Sequence, residues 1–251
     1  MGASWLRRLS SAPENRSHTV VCFPHAGGSA LSYGPLAKRL EADFDVLAVQ
    51  YPGRQDRRRE PLIDNVAELV DGLLPELLET IASIERFSLF GHSMGSAVAF
   101  ETCRRLERES GARATVLFAS GRRAPSVLRT EQMHTLSDRE LGDHLLSYGG
   151  TPAALLADPE MHEMILTVTR NDYRAIETYA CAPDAAVECP IVALAGDRDS
   201  DATLADLEAW RAHTSGPFAT RQFPGGHFFL DANGDAVAQL IREHTARALT
   251  G

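Results

Sequence analysis

A mostly parallel α/β sheet flanked by helices is the fold class this sequence predicts, and three observations predict it. Six short apolar runs read as buried strands. Helical patterns separate them. One interval between strands is much longer than a crossover needs. The runs are TVVCF (19–23), DVLAVQ (45–50), FSLFG (87–91), ATVLFAS (114–120), IVALAG (191–196) and ATRQFP (219–224). Most are continuously apolar rather than alternating, which suits strands covered on both faces. Strands that alternate with helices imply crossover connections.

The clearest helix carries Val66, Leu69, Val70, Leu73, Leu74, Leu77, Leu78 and Ile81, an i, i+3, i+4 stripe. A second runs from Met94 past Phe100 towards Leu106. Between ATVLFAS and IVALAG lie about 70 residues without a strand. Helical patterns at Ser137–Tyr148 and Pro159–Tyr179, joined by GGTPAALLAD, fill that interval. A structureless loop of this length does not suit a compact domain, so a helical insertion over one end of the sheet is expected.

Composition narrows the function classes. The chain of 251 residues suits one large α/β domain, and its 44% hydrophobic content is that of a globular protein. A net charge of -9 gives no support for nucleic-acid binding. Cys22, Cys103, Cys181 and Cys189 show no zinc spacing and read as plain thiols of a reducing compartment. The opening MGASWLRRLSS has no apolar core of a secretory signal, and Leu6 breaks the myristoylation pattern. No apolar stretch approaches the roughly 20 residues that span a bilayer. A cytoplasmic protein without a membrane partner is expected, and a monomer.

The chemistry starts at Ser93, in GHSMG. A strand candidate precedes it and a helix candidate follows, the setting that a nucleophile elbow requires. Such a turn forces the serine into strained backbone, and Gly91 and Gly95 leave room for the crowded neighbours. A serine needs a base. His227, in FPGGHFFL, follows the last strand, where Gly225 and Gly226 let the chain turn. The acid belongs after the preceding strand, where IVALAGDRDS offers Asp197 and Asp199. Asp199, further along the loop, is favoured as the partner of His227, with Asp197 bracing the loop. Asp201 is expected to be solvated. Two backbone N–H groups must meet the oxyanion. Met94, directly after the nucleophile, supplies one. The FPHAGGSA loop supplies the other, from Ala26 or alternatively Gly27. His25 is expected to shape that loop, and His92 to pack beside the nucleophile. The remaining histidines show no ligand spacing, so no metal site and no bound cofactor are expected.

Taken together, WLRRL, CFPHAGGSA, YPGRQDRR, LFGHSMGSAVAFE, LAGDRD and FPGGHFFL resemble the type II thioesterases of polyketide and non-ribosomal peptide biosynthesis, within the α/β-hydrolases, nearly end to end. The resemblance implies a single thioesterase domain over 1–251, with a mobile lid at about 122–185 above an acyl chamber. It implies Ser93, Asp199 and His227 as the catalytic set, with Ala26 and Met94 in the oxyanion hole. The implied substrate is an acyl group tethered as a thioester to the phosphopantetheine arm of an acyl or peptidyl carrier protein. The implied role is the removal of stalled or aberrant acyl units. RDSDAT departs from the family, whose members often carry a proline-containing turn after the acid.

Two rival functions share much of this pattern: an esterase or lipase acting on free oxygen esters, and a hydrolase-fold binding module without catalysis. Arg54, Arg57, Arg58 and Arg59, with Arg122 and Arg123, are read either as solvated faces or as contacts to the phosphate or to an acidic carrier. Leu145, Leu146, Met161 and Ile165 line the chamber or form ordinary lid core.

Overall fold

The computed structural model describes residues 4–10, 17–130, 132–182 and 184–250. Residues 1–3 and 11, part of the stretch read above for a leader, lie outside them. All six expected strands form: β2 (Thr19–Phe23), β3 (Asp45–Val49), β4 (Phe87–His92), β5 (Leu117–Ser120), β6 (Ile191–Gly196) and β7 (Phe218–Phe223). A further strand, β1 (Leu6–Arg8), precedes them. The sheet order is β1-β3-β2-β4-β5-β6-β7, with β1 antiparallel to β3 and every other pairing parallel.

Burial follows from the run composition. Strands β2 to β6 are buried along their whole length. Alternate side chains therefore feed two cores. Val21, Phe23, Leu47 and Leu89 pack with helices α2 (Val66–Ile81) and α3 (Met94–Ser110). Val20, Cys22, Val46 and Phe90 point the other way, to α1 (Gly34–Leu40) and α8 (Phe229–Thr250). The edge strand β7 is half exposed. The α2 stripe is buried from Val66 to Leu77, while Leu78 and Ile81 are partly buried. Asn65 starts this helix by accepting the N–H groups of Ala67 and Glu68 at 2.9 and 3.2 Å.

Strand β1 is too short for periodicity to reveal, and tertiary contacts hold it. The Glu76 carboxylate of α2 accepts the Trp5 and Leu6 N–H groups at 2.7 and 3.1 Å. The Trp5 ring lies on Gly72, where an added Cβ would approach Cζ2 to 2.4 Å.

Between β5 and β6 come α4 (Asp138–Tyr148), α5 (Ala153–Ala157) and α6 (Pro159–Glu177). The expected join GGTPAALLAD itself contains α5. Ser137 and Glu140 form a capping box at α4, and Asp158 with Pro159 starts α6. Leu141 and Leu145 of α4 pack on Leu166 of α6. A short α7 (Leu204–Glu208) lies between β6 and β7. No described helix is long and apolar enough to cross a membrane.

The topology fixes where a ligand sits. From β2 the chain moves to β3 on one side, and from β4 to β5 on the other. The crevice outside the carboxyl ends of β2 and β4 is therefore the switch point, the favoured binding position in open α/β sheets.

Candidate active site

Ser93 sits at that switch point, between the end of β4 and the start of α3. Its backbone has φ 54° and ψ -121°, a positive φ that is costly for a residue with a Cβ. Close approach explains the flanking glycines. A Cβ on Gly95 would stand 1.9 Å from the Phe23 carbonyl oxygen, and one on Gly91 would stand 2.3 Å from that of Gly95. Ser96, which the sequence did not single out, pins the turn from behind. Its buried hydroxyl lies 2.9 Å from the Gly91 carbonyl and 2.8 Å from that of Ser120, and it accepts the Ser120 N–H at 3.0 Å. The Ser93 N–H donates to the same Ser120 carbonyl at 2.8 Å. Strain at the serine is thus held by hydrogen bonds between neighbouring strand ends.

The two carboxylates after β6 separate cleanly. Asp199 is buried, and its Oδ2 lies 2.9 Å from His227 Nδ1. Its Oδ1 accepts the Asp201 N–H at 3.0 Å. Asp197 is exposed and accepts the Gly225 N–H at 2.9 Å, bracing the turn that carries the histidine. Gly225 needs its φ of 133° to make that turn. Asp201 is not simply solvated: it accepts the Tyr148 hydroxyl of α4 and lies 3.9 Å from Arg129.

His25 and His92 cluster with His227. The His92 and His227 rings are 5.1 Å apart, and the His25 and His92 rings 6.0 Å. Burial, reinforced by the neighbouring imidazoles, holds His92 well below the usual histidine range. Burial, with His227 nearby, lowers His25 to about 4. Both are uncharged at neutral pH. His92 Nδ1 lies 2.9 Å from Ser120 Oγ, tying it to the same strand end that carries the elbow. His25 packs edge-on against Phe228, and a Cβ on Gly28 would meet its ring at 2.9 Å, so it shapes the loop after β2.

That loop separates the two oxyanion-donor candidates. The Gly27 N–H donates to Asp172 Oδ2 at 2.8 Å, so it is already engaged. Met94 opens α3, and its N–H is among the first four of a helix, which have no partner within it.

Asp172, on α6, is a residue that sequence reasoning missed. It is 1% exposed and forms a two-point ion pair with Arg54, at 2.6 and 2.8 Å. Arg54 also donates to the Gly28 carbonyl at 3.1 Å. The pair therefore ties α6 to the loop after β2. A signal existed: Asp172 falls on the stripe of Ile165, Val168, Thr169 and Ile176, where a carboxylate is out of place unless paired. Asp172→Ala leaves a guanidinium buried and unpaired. It is expected to lower the unfolding free energy by about 3–5 kcal/mol, read by denaturant titration.

The remaining arginines divide. Arg57 is buried; it donates to the Gln50 carbonyl at 2.8 Å, pairs with Glu60, and stands 4.2 Å from the Trp5 ring centroid. Arg123 is also buried and donates to the Val127 carbonyl. Arg58 and Arg59 are exposed.

Ser93, Ala26 and His227 line one cavity of about 470 Å³, with α4 to α6 on its far side. Leu145, Leu155, Met161, Ile165 and Val168 give that side an apolar surface. Leu145 and Ile165 also belong to the small cluster that joins α4 and α6, so both readings of them hold. Leu146 is 47% exposed and does not line the cavity.

Elsewhere, Cys103, Cys189 and Glu107 bring ligand atoms within 4.8 Å of one another. Hydrogen bonding to Cys189 and burial push the Cys103 thiol well up.

A family model described as the thioesterase domain matches residues 18–245. The chain is 46% identical over 248 residues to a "Probable cadicidin biosynthesis thioesterase" of Streptomyces griseus, covering 98% of this chain and 68% of that protein. It is 43% identical over 240 residues to "Thioesterase PikA5" of Streptomyces venezuelae, covering 96% and 85%. The solved structure of the type II thioesterase BorB from the borrelidin biosynthetic cluster superposes with a TM-score of 0.87 at 42% identity, covering 98% of this chain and 99% of the other. With an elbow serine, a histidine–aspartate pair and a covered cavity on an α/β-hydrolase sheet, the chain belongs to the thioesterase family, among its type II members.

Proposed function

We propose that this thioesterase hydrolyses acyl groups carried as thioesters on the phosphopantetheine arm of acyl or peptidyl carrier domains, and so clears stalled or aberrant acyl units during polyketide or non-ribosomal peptide synthesis. The observation that carries the reading is the single cavity that holds Ser93 and His227 on one side and an apolar helical surface on the other. The whole chain works as one hydrolase domain, with the segment at about 122–185 as its lid.

Ser93 is the nucleophile. The Asp199 bond to Nδ1 of His227 fixes the ring and leaves Nε2 to take the serine proton. Serine oxygen attacks the thioester carbonyl carbon, and the charge moves to the carbonyl oxygen, which meets the Ala26 and Met94 N–H groups. The carbon–sulfur bond breaks as the intermediate collapses. The arm leaves as a thiol, with its proton supplied by the imidazolium. A thiol of pKa about 8.5 needs little help to leave, so attack is the demanding step. Water, deprotonated by His227, then attacks the acyl-serine ester. The acid is released and Ser93 recovers its proton. Relatives named for NRPS/PKS pathways, YbtT of the yersiniabactin pathway and ClbQ of the colibactin pathway, support the carrier-bound substrate.

The test uses carrier proteins loaded with different acyl groups and follows release by intact mass, beside an oxygen ester of the same acyl chain. A kcat/KM that favours the carrier thioester is expected. A strong preference for the oxygen ester contradicts the reading.

A further inference from the structure

The end of α4 touches the histidine–aspartate pair through a residue that the hydrolytic cycle does not use. Tyr148 is the last residue of α4, followed by Gly149 and Gly150 at φ 83° and 87°. Its ring centroid lies 4.7 Å from that of His227, at 39°. It also stacks on His144 at 5.1 Å and 25°. Its hydroxyl donates to Asp201 Oδ2. The Asp201 N–H in turn donates to Asp199 Oδ1, and Asp199 Oδ2 holds His227. The contacts close a ring: from the imidazole to the tyrosine face, through the hydroxyl to Asp201, through its backbone to Asp199, and back to the imidazole.

The glycines after Tyr148 fit the same arrangement. A Cβ on Gly150 would meet the Phe228 ring at 2.4 Å, so the chain turns directly over the residue next to His227. The segment between β5 and β6 thereby touches His227 directly and reaches Asp199 through Asp201.

We propose that Tyr148 is a positioning residue for His227 and Asp199. Its ring limits the tilt of the imidazole. Its hydroxyl holds the 199–201 loop at the depth where the acid meets Nδ1. Seating of the α4 end then aligns the pair, and displacement of that end releases it. The proposal rests on the reading of Ser93, His227 and Asp199 as the catalytic triad. It adds that the lid segment acts on the triad directly, besides covering the cavity.

The test is a double-mutant cycle with a carrier-bound acyl thioester. Tyr148→Phe keeps the ring and removes the hydroxyl; Asp201→Ala removes the acceptor. Each is expected to lower kcat about tenfold, with KM within about twofold of wild type, because the pair is misaligned while the apolar surface of the cavity is kept. The double variant is expected to lose no more than the worse single variant, since both remove one interaction. Labelling of Ser93 by a small fluorophosphonate, which needs the aligned imidazole but no carrier, should slow in parallel. A Tyr148→Phe kcat within about twofold of wild type, losses that multiply in the double variant, or a change confined to KM would overturn the proposal. Asp199→Asn in the same series separates the two claims. If it is inactive while Tyr148→Phe is not impaired, positioning by Tyr148 alone fails. If it keeps wild-type kcat, the triad reading fails and the proposal falls with it.

Discussion

Ser93→Ala is expected to abolish acyl-enzyme formation and to lower kcat by about a million-fold, the scale seen when a serine hydrolase loses its nucleophile. Stability should not follow activity. The Ser93 side chain makes no capping bond to α3, so the helix start survives its loss. The backbone at 93 carries strain at φ 54°, and that strain serves to aim the hydroxyl, not to hold the fold. Ser93→Gly, which tolerates positive φ, is therefore expected to unfold at or above the wild-type midpoint while being equally inactive. Thermal unfolding beside single-turnover acyl transfer reads both quantities. An inactive alanine variant that is also unfolded would show that the hydroxyl is structural.

Asp199→Asn is expected to cost about 10⁴ in kcat. The asparagine keeps the volume of the side chain but presents an N–H to Nδ1, or an oxygen without charge. The first selects the tautomer whose Nε2 carries the proton and cannot accept another. The second leaves the developing imidazolium without its counter-charge. Asp197→Asn is expected to leave kcat nearly unchanged, because Asp197 accepts a backbone N–H from Gly225 and an amide oxygen can do the same. Steady-state kinetics of the two variants separate the roles. Greater damage from Asp197→Asn would reverse the assignment of the acid.

The legible part of this protein is the part that local rules govern. Strands β2 to β6 announce themselves because both faces are buried, so their runs are mostly apolar. The elbow is legible because two glycines and a serine are forced together by sterics within five residues. Asp199 is separable from Asp197 because loop length governs reach. The illegible part depends on contacts between distant segments. β1 forms where Glu76, some 70 residues away, accepts the Trp5 and Leu6 N–H groups and β3 pairs alongside. Arg54 reads as a surface cation until Asp172, 118 residues on, arrives to bury it. Asp201 reads as solvated until the end of α4 is placed over it. The surroundings of Arg54 and Asp201 are supplied by the segment between β5 and β6, and its path over the sheet is set by packing rather than periodicity.

The account stands on a reactive hydroxyl at position 93, served by His227. Peptide mapping of the protein after treatment with a fluorophosphonate tests this most directly. The predicted result is one adduct, on the peptide that contains Ser93, lost in His227→Ala as well as in Ser93→Ala. An adduct on another residue, or labelling of Ser93 that proceeds undiminished without His227, would contradict it.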